Sequence, residues 1–158
     1  MRNTPRRTER AGTMSTKAMP LHLHPTPRPH SSSTLYTDCA PSAVITESDP
    51  GLREQLVTIL NEMGVEVAGD AAIPSHAHAL IRSMRPDLAI LDADIAARLE
   101  ELGNIAREAA RLGCHVLLTA SIQNSYEVSE LIGAFPVIRK PFAAANIHRA
   151  VTQALNRP

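Results

Sequence analysis

Tryptophan is missing from this chain and aromatic residues make up only 3% of it. Any core must therefore be aliphatic, built from Leu, Ile, Val, Ala and Met. Cysteine is scarce as well: Cys39 and Cys114 form no CxxC pair and no disulfide framework, the usage expected in a reducing compartment. No apolar run approaches the roughly 18 to 20 residues that span a bilayer, and the N-terminus lacks the apolar stretch of a secretory signal. A cytoplasmic protein without membrane contact is the expectation. An excess of one charge is also lacking, since 16 Lys and Arg balance 16 Asp and Glu. With no basic stripe to neutralise phosphates, nucleic acid is not an expected partner. No Gly-rich loop follows the first apolar run, which removes the usual nucleotide-binding reading.

The balance hides two unlike parts. Met1 to Pro41 holds six basic residues against Glu9 and Asp38, and six of the twelve prolines, in a Ser/Thr-rich context without apolar periodicity. Such a segment cannot bury enough apolar area to offset the entropy of ordering, so residues 1–41 are expected to be an unstructured tail. Its Arg-rich character also resembles an organelle transit peptide, and Met14 and Met19 leave open a start later than Met1. His22, His24 and His30 lie in this flexible stretch, which preorganises no metal site.

From Ser42 the pattern changes. Short apolar runs at 43–46, 65–68, 88–91, 116–118 and 137–138 alternate with helical stripes. The stripes comprise Leu52, Leu56, Ile59, Leu60 and Met63; Ala77, Leu80, Ile81 and Met84; and Leu99, Leu102, Ile105, Ala106, Ala109 and Leu112. A short helix follows, with Asn124 and Glu127 read as a capping box opening Val128, Leu131 and Ile132; Ile147, Val151 and Leu155 mark the last. Gly64 and Gly113 stop the first and third helices, and Asp49 before Pro50 reads as an N-cap. Strict alternation of five strands and five helices implies a doubly wound (βα)5 α/β domain over residues 42–158 with a parallel sheet.

In such sheets ligands bind beyond the carboxyl ends of the strands. Glu47, Asp92, Thr119 and Lys140 all follow apolar runs at that end. One Asp after a strand is commonly a turn residue or cap, but four polar residues on one sheet edge make a site. A carboxylate can accept a phosphoryl group, a cation held by carboxylates can neutralise the phosphoryl oxygens, and an amine and a hydroxyl can position it. Mg2+ suits such a site.

Four blocks carry a resemblance: Ala43-Val-Ile-Thr-Glu-Ser-Asp-Pro-Gly-Leu-Arg53, Arg85-Pro-Asp-Leu-Ala-Ile-Leu-Asp92, Leu117-Leu-Thr-Ala120 and Val137-Ile-Arg-Lys-Pro-Phe142. In this order and spacing the sequence resembles the response-regulator receiver domain over about residues 42 to 156. The resemblance implies a flavodoxin-like strand order 2-1-3-4-5. It implies Asp92 as phosphoacceptor, Thr119 as switch hydroxyl, and Lys140 as the amine contacting the phosphoryl group, with a cis bond to Pro141. Metal ligands would be Glu47, Asp92 and the backbone carbonyl of Asp94, with Ser48 or Asp49 as further candidates. The partner would be a histidine kinase or phosphotransfer protein.

Three departures stand out. Ser48 replaces a second acid, Ala93-Asp-Ile-Ala-Ala97 lacks the usual Pro and Gly, and Val137 stands where an aromatic switch residue is common. Asp94 reads two ways, as tuning hydrolysis of the phosphoryl group or as a solvated loop acid. His76 and His78, two apart, share no helix face, and Cys114 and His115 read as rim residues. Parts of the chain also resemble stand-alone receivers, and Pro158 falls just past the last helix. The expected function is that of a single-domain response regulator, not an enzyme, acting by protein contact. The alternative is a degenerate receiver that binds partners without phosphorylation; a flavodoxin-like enzyme or cofactor binder is the third reading.

Overall fold

Successive residues of a strand point to opposite faces of its sheet, and the continuous apolar runs of this chain fill both faces. A computed structural model describes residues 39–157 apart from residue 132. The expectations for the N-terminal stretch up to residue 38, its three histidines included, and for Ile132 lie outside the described residues. Ten elements alternate: β1 (Ser42–Thr46), α1 (Pro50–Glu62), β2 (Glu66–Ala71), α2 (Pro74–Met84), β3 (Leu88–Asp92), α3 (Leu99–Arg111), β4 (His115–Ser121), α4 (Ile122–Leu131), β5 (Val137–Lys140) and α5 (Ala144–Leu155). The strands pair in parallel in the order β2-β1-β3-β4-β5. This is the expected flavodoxin-like α/β arrangement.

Ala43, Ile45, Leu88, Ile90 and Leu117 face α1 and α5, meeting Leu56, Leu60, Ile147 and Val151. Val44, Ala89, Leu91, Val116 and Leu118 face the other way, against Ala77 and Ile81 of α2, Leu102, Ile105, Ala106 and Ala109 of α3, and Val128 of α4. The two cores are aliphatic, as the composition requires, with Phe142 a buried ring in the first. Among the described residues, no helix is long and apolar enough to cross a membrane.

The helix ends follow local chemistry. Asp49 caps α1 by accepting from the Leu52 N–H at 2.8 Å, with Pro50 in the first turn. Gly64 and Gly113 take φ of +73° and +86°, the left-handed conformation glycine adopts at no steric cost. Val65 N–H then reaches Leu60 O at 2.9 Å, and Cys114 N–H reaches Ala109 O at 3.0 Å, so both helices close with a Schellman turn.

Strand limits differ from the sequence reading. β2 runs through Gly69 and Asp70, weak strand formers, because both pair with β1 opposite Val44 and Ile45, and the ladder overrides local preference. Asp92, Thr119 and Lys140 lie within their strands rather than after them, since Thr119 pairs with both Asp92 and Ile138, and Lys140 with Ser121. α4 begins at Ile122. Asn124 is thus inside the helix and does not cap it; its amide is drawn to Asp94 instead.

Candidate functional site

β1 ends at Thr46 and β3 at Asp92, and these two ends are stitched by a side chain. Thr46 Oγ1 accepts the Asp92 backbone N–H at 2.7 Å in a fully buried setting. Glu47, the next residue, is also buried. From the far side of the site Lys140, on β5, extends its ammonium between the acids: Nζ is 2.7 Å from Asp92 Oδ1, 2.9 Å from Glu47 Oε2 and 3.4 Å from Asp94 Oδ2. Glu47, Asp92 and Lys140 are therefore brought together. Thr119 lies beside Asp92 in the ladder, its Oγ1 buried and without a hydrogen-bond partner.

The two oxygens of Asp92 are not equivalent. Oδ1 takes the Lys140 contact and the Asp94 N–H at 3.0 Å, whereas Oδ2 is buried with no partner. Burial is the larger influence on this carboxyl and raises it; Lys140 and the Asp94 N–H oppose, the Glu47 charge adds to burial, and the net value is about 6. Burial alone would lower Lys140, but its contacts with Asp92 and Glu47 outweigh that and hold the ammonium above its ordinary value.

Asp94 is no freely solvated loop acid. Its carboxylate accepts from the Ser121 N–H at 2.9 Å, the Ser121 hydroxyl at 3.0 Å and the Asn124 amide at 2.9 Å. Burial works to raise this carboxyl, but those donors and Lys140 together hold it below its ordinary value. The loop that lacks Pro and Gly is thus shaped by a side chain.

Mg2+ asks for one or two carboxylates, completed by water and phosphate oxygens. Glu47 and Asp92 meet that demand. Glu47 Oε1 accepts the Asp49 N–H at 3.0 Å and Oε2 lies 2.9 Å from the Lys140 ammonium, while Asp92 Oδ2 has no partner. Among the described residues no three His, Cys, Asp or Glu side chains are grouped to hold a metal without such help. Ser48 is exposed, and the Asp49 carboxylate is turned to the α1 cap.

The sequence does not mark Thr46, Ser121 and Asn124 as members of the site. Thr46 looks like one more strand former in Ala43-Val-Ile-Thr46. Ser121, two residues past Thr119, carries the one legible signal: a hydroxyl on the site end of β4.

The fold is one that solved receiver domains of response regulators share. The REC domain of AraT, a response regulator from Geobacillus stearothermophilus, superposes with a TM-score of 0.64 at 20% identity, covering 74% of this chain and 94% of that one. A response regulator receiver domain protein from Clostridium thermocellum gives 0.64 at 15% identity, covering 74% and 95%. In sequence, the chain is 30% identical over 117 residues to the transcriptional regulatory protein PdtaR of Mycobacterium tuberculosis, covering 72% of this chain and 56% of that protein. The chain therefore spans about half the length of the curated relatives it matches. No protein-family model matches it.

Proposed function

We propose that this receiver domain serves two-component signalling by accepting a phosphoryl group on Asp92 from a histidine kinase or phosphotransfer protein. The single observation that carries this reading is the asymmetry of the Asp92 carboxylate: Oδ1 is held by Lys140 and Asp94, and Oδ2 is buried and unpartnered. In the transfer, an Oδ2–P bond forms as the P–N bond of the donor's phosphoimidazole breaks. The bonding pair stays on the imidazole nitrogen, which takes a proton from water. Lys140 offsets the charge that gathers on the phosphoryl oxygens, and the Thr119 hydroxyl offers them a donor. A divalent cation held by Glu47 and Asp92, with the Asp94 carbonyl as a candidate ligand, would supply further neutralisation. The phosphorylated state acts on a partner protein by contact.

Acyl-phosphate labelling tests the reading. With acetyl phosphate and Mg2+ the wild type should gain one phosphoryl group, detectable by intact mass, and Asp92→Asn should gain none. An unlabelled wild type, or label that survives Asp92→Asn, overturns it.

A second reading, a receiver that binds partners without phosphorylation, is favoured by Ser48. It is neutral and exposed where a second acid is usual, and Asp49 is committed to the helix cap. A Mg2+ titration of thermal stability separates the two. A bound ion stabilises in proportion to RT ln(1 + [L]/Kd), so a saturable rise that Glu47→Gln abolishes supports transfer, and a flat response supports the second reading.

A further inference from the structure

We infer that Asp94, braced by Ser121 and Asn124, is a positioning residue that fixes the Asp92 carboxylate with Oδ1 held and Oδ2 free. The inference rests on the reading of Asp92 as acceptor and extends it to residues outside the four-residue site. The loop from Ala93 to Arg98 contains neither Pro nor Gly, so backbone restriction does not fix its course. Two anchors do. Ala93 N–H bonds Thr119 O at 2.8 Å, which continues the ladder by one residue. The next residue supplies the second anchor through its side chain: the Asp94 carboxylate accepts from the Ser121 N–H, the Ser121 hydroxyl and the Asn124 amide.

With its side chain so held, Asp94 has its own N–H directed at Asp92 Oδ1, 3.0 Å away. That N–H and Lys140 are the two groups on Oδ1, and Lys140 is long, flexible and shared with Glu47 and Asp94. The Asp94 N–H is therefore the rigid member of the pair. If the brace is released, the loop drifts, Oδ1 loses its fixed donor, and the carboxylate is free to rotate about its bond to Cβ. A displacement of about 1 Å at a reacting atom can cost on the order of a hundredfold in rate. Asn124, in the first turn of α4, thus acts on Asp92 through Asp94 without touching it.

The test uses amide hydrogen exchange by NMR on the full chain, paired with labelling by acetyl phosphate. Asn124→Ala should speed exchange at the Asp94 amide about tenfold while leaving that of Leu91 unchanged. The labelling rate should fall with little change in the acetyl phosphate concentration for half-maximal rate. Asn124→Asp distinguishes this brace from simple support of α4. An acid in the first turn favours a helix, so a helix-supporting role predicts an unchanged or slower Asp94 amide, whereas the brace predicts exchange faster than in Asn124→Ala because two carboxylates then face each other. An Asp94 amide unmoved in both variants overturns the inference. Should the wild type take no label, the acceptor reading falls, and the exchange data still decide whether Asp94 positions Asp92.

Discussion

Thr46 and Asp92 meet through a single hydrogen bond, the Asp92 backbone N–H donating to the Thr46 hydroxyl at 2.7 Å. The last polar atom of one buried strand thereby sets the end of its neighbour. Thr46→Val keeps the shape and removes the acceptor, leaving a buried N–H unpaired. A loss of about 1–3 kcal/mol in urea unfolding is expected, with Thr46→Ser retaining most of the stability. Equal effects of Val and Ser would show that the hydroxyl contributes nothing.

Stability of the metal-free protein should depend on pH through Asp92. Folding raises this carboxyl from 3.8 to about 6, so the folded state binds more protons between those values. The contribution of Asp92 is therefore complete below about pH 4 and is lost as pH rises through about 6. Asp94 is shifted the opposite way and loses its contribution as pH falls. Comparing wild type with Asp92→Asn in EDTA isolates the first effect: the variant should gain, relative to wild type, up to about 3 kcal/mol between pH 4 and pH 7. A constant difference across that range contradicts the assignment.

Lys140→Met should be costly at neutral pH, because it leaves the buried Glu47 and Asp92 carboxylates beside each other without their cation. Removing one partner of a buried ion pair typically costs about 3–5 kcal/mol. The double variant Lys140→Met/Asp92→Asn should recover much of that loss, and denaturant unfolding of the four proteins measures the coupling. Strict additivity would show that the contact is energetically idle.

The two cysteines should differ in reactivity. Cys39 is exposed and Cys114 is buried, its thiol pushed up to about 12 by burial, with the Asp87 charge adding to the effect. Iodoacetamide at pH 8 should modify Cys39 in the native protein and reach Cys114 only after denaturation, as peptide mass mapping would reveal.

The sequence was informative wherever structure is decided locally. Asp49 before Pro50, Gly64 and Gly113 mark helix ends because capping and left-handed turns are properties of a few adjacent residues. The alternation of apolar runs with helical stripes carries the fold class, and four polar residues ending those runs carry the site. What stayed hidden depends on distant partners. Gly69 and Asp70 extend β2 only because β1 pairs with them. Asn124 reads as a cap until Asp94, thirty residues earlier, claims its amide. Thr46 is indistinguishable from an ordinary strand residue until Asp92 lies beside it. His78 similarly meets Glu108 of α3 at 2.8 Å, a contact its spacing from His76 does not suggest.

The position of β3 has a consequence of its own. It runs between β1 and β4, sending Leu88 and Ile90 into one core and Ala89 and Leu91 into the other. A change of size at Leu88, Ala89 or Ile90 disturbs paired neighbours on both β1 and β4 as well as one of the two apolar layers, and a slip by one residue would exchange the layers. β2 and β5, each with one paired neighbour, are under less constraint. Random mutagenesis followed by selection for folded protein should leave β3 almost invariant and let the two margins vary, so that the strand bearing Asp92 behaves as the fixed axle of the domain.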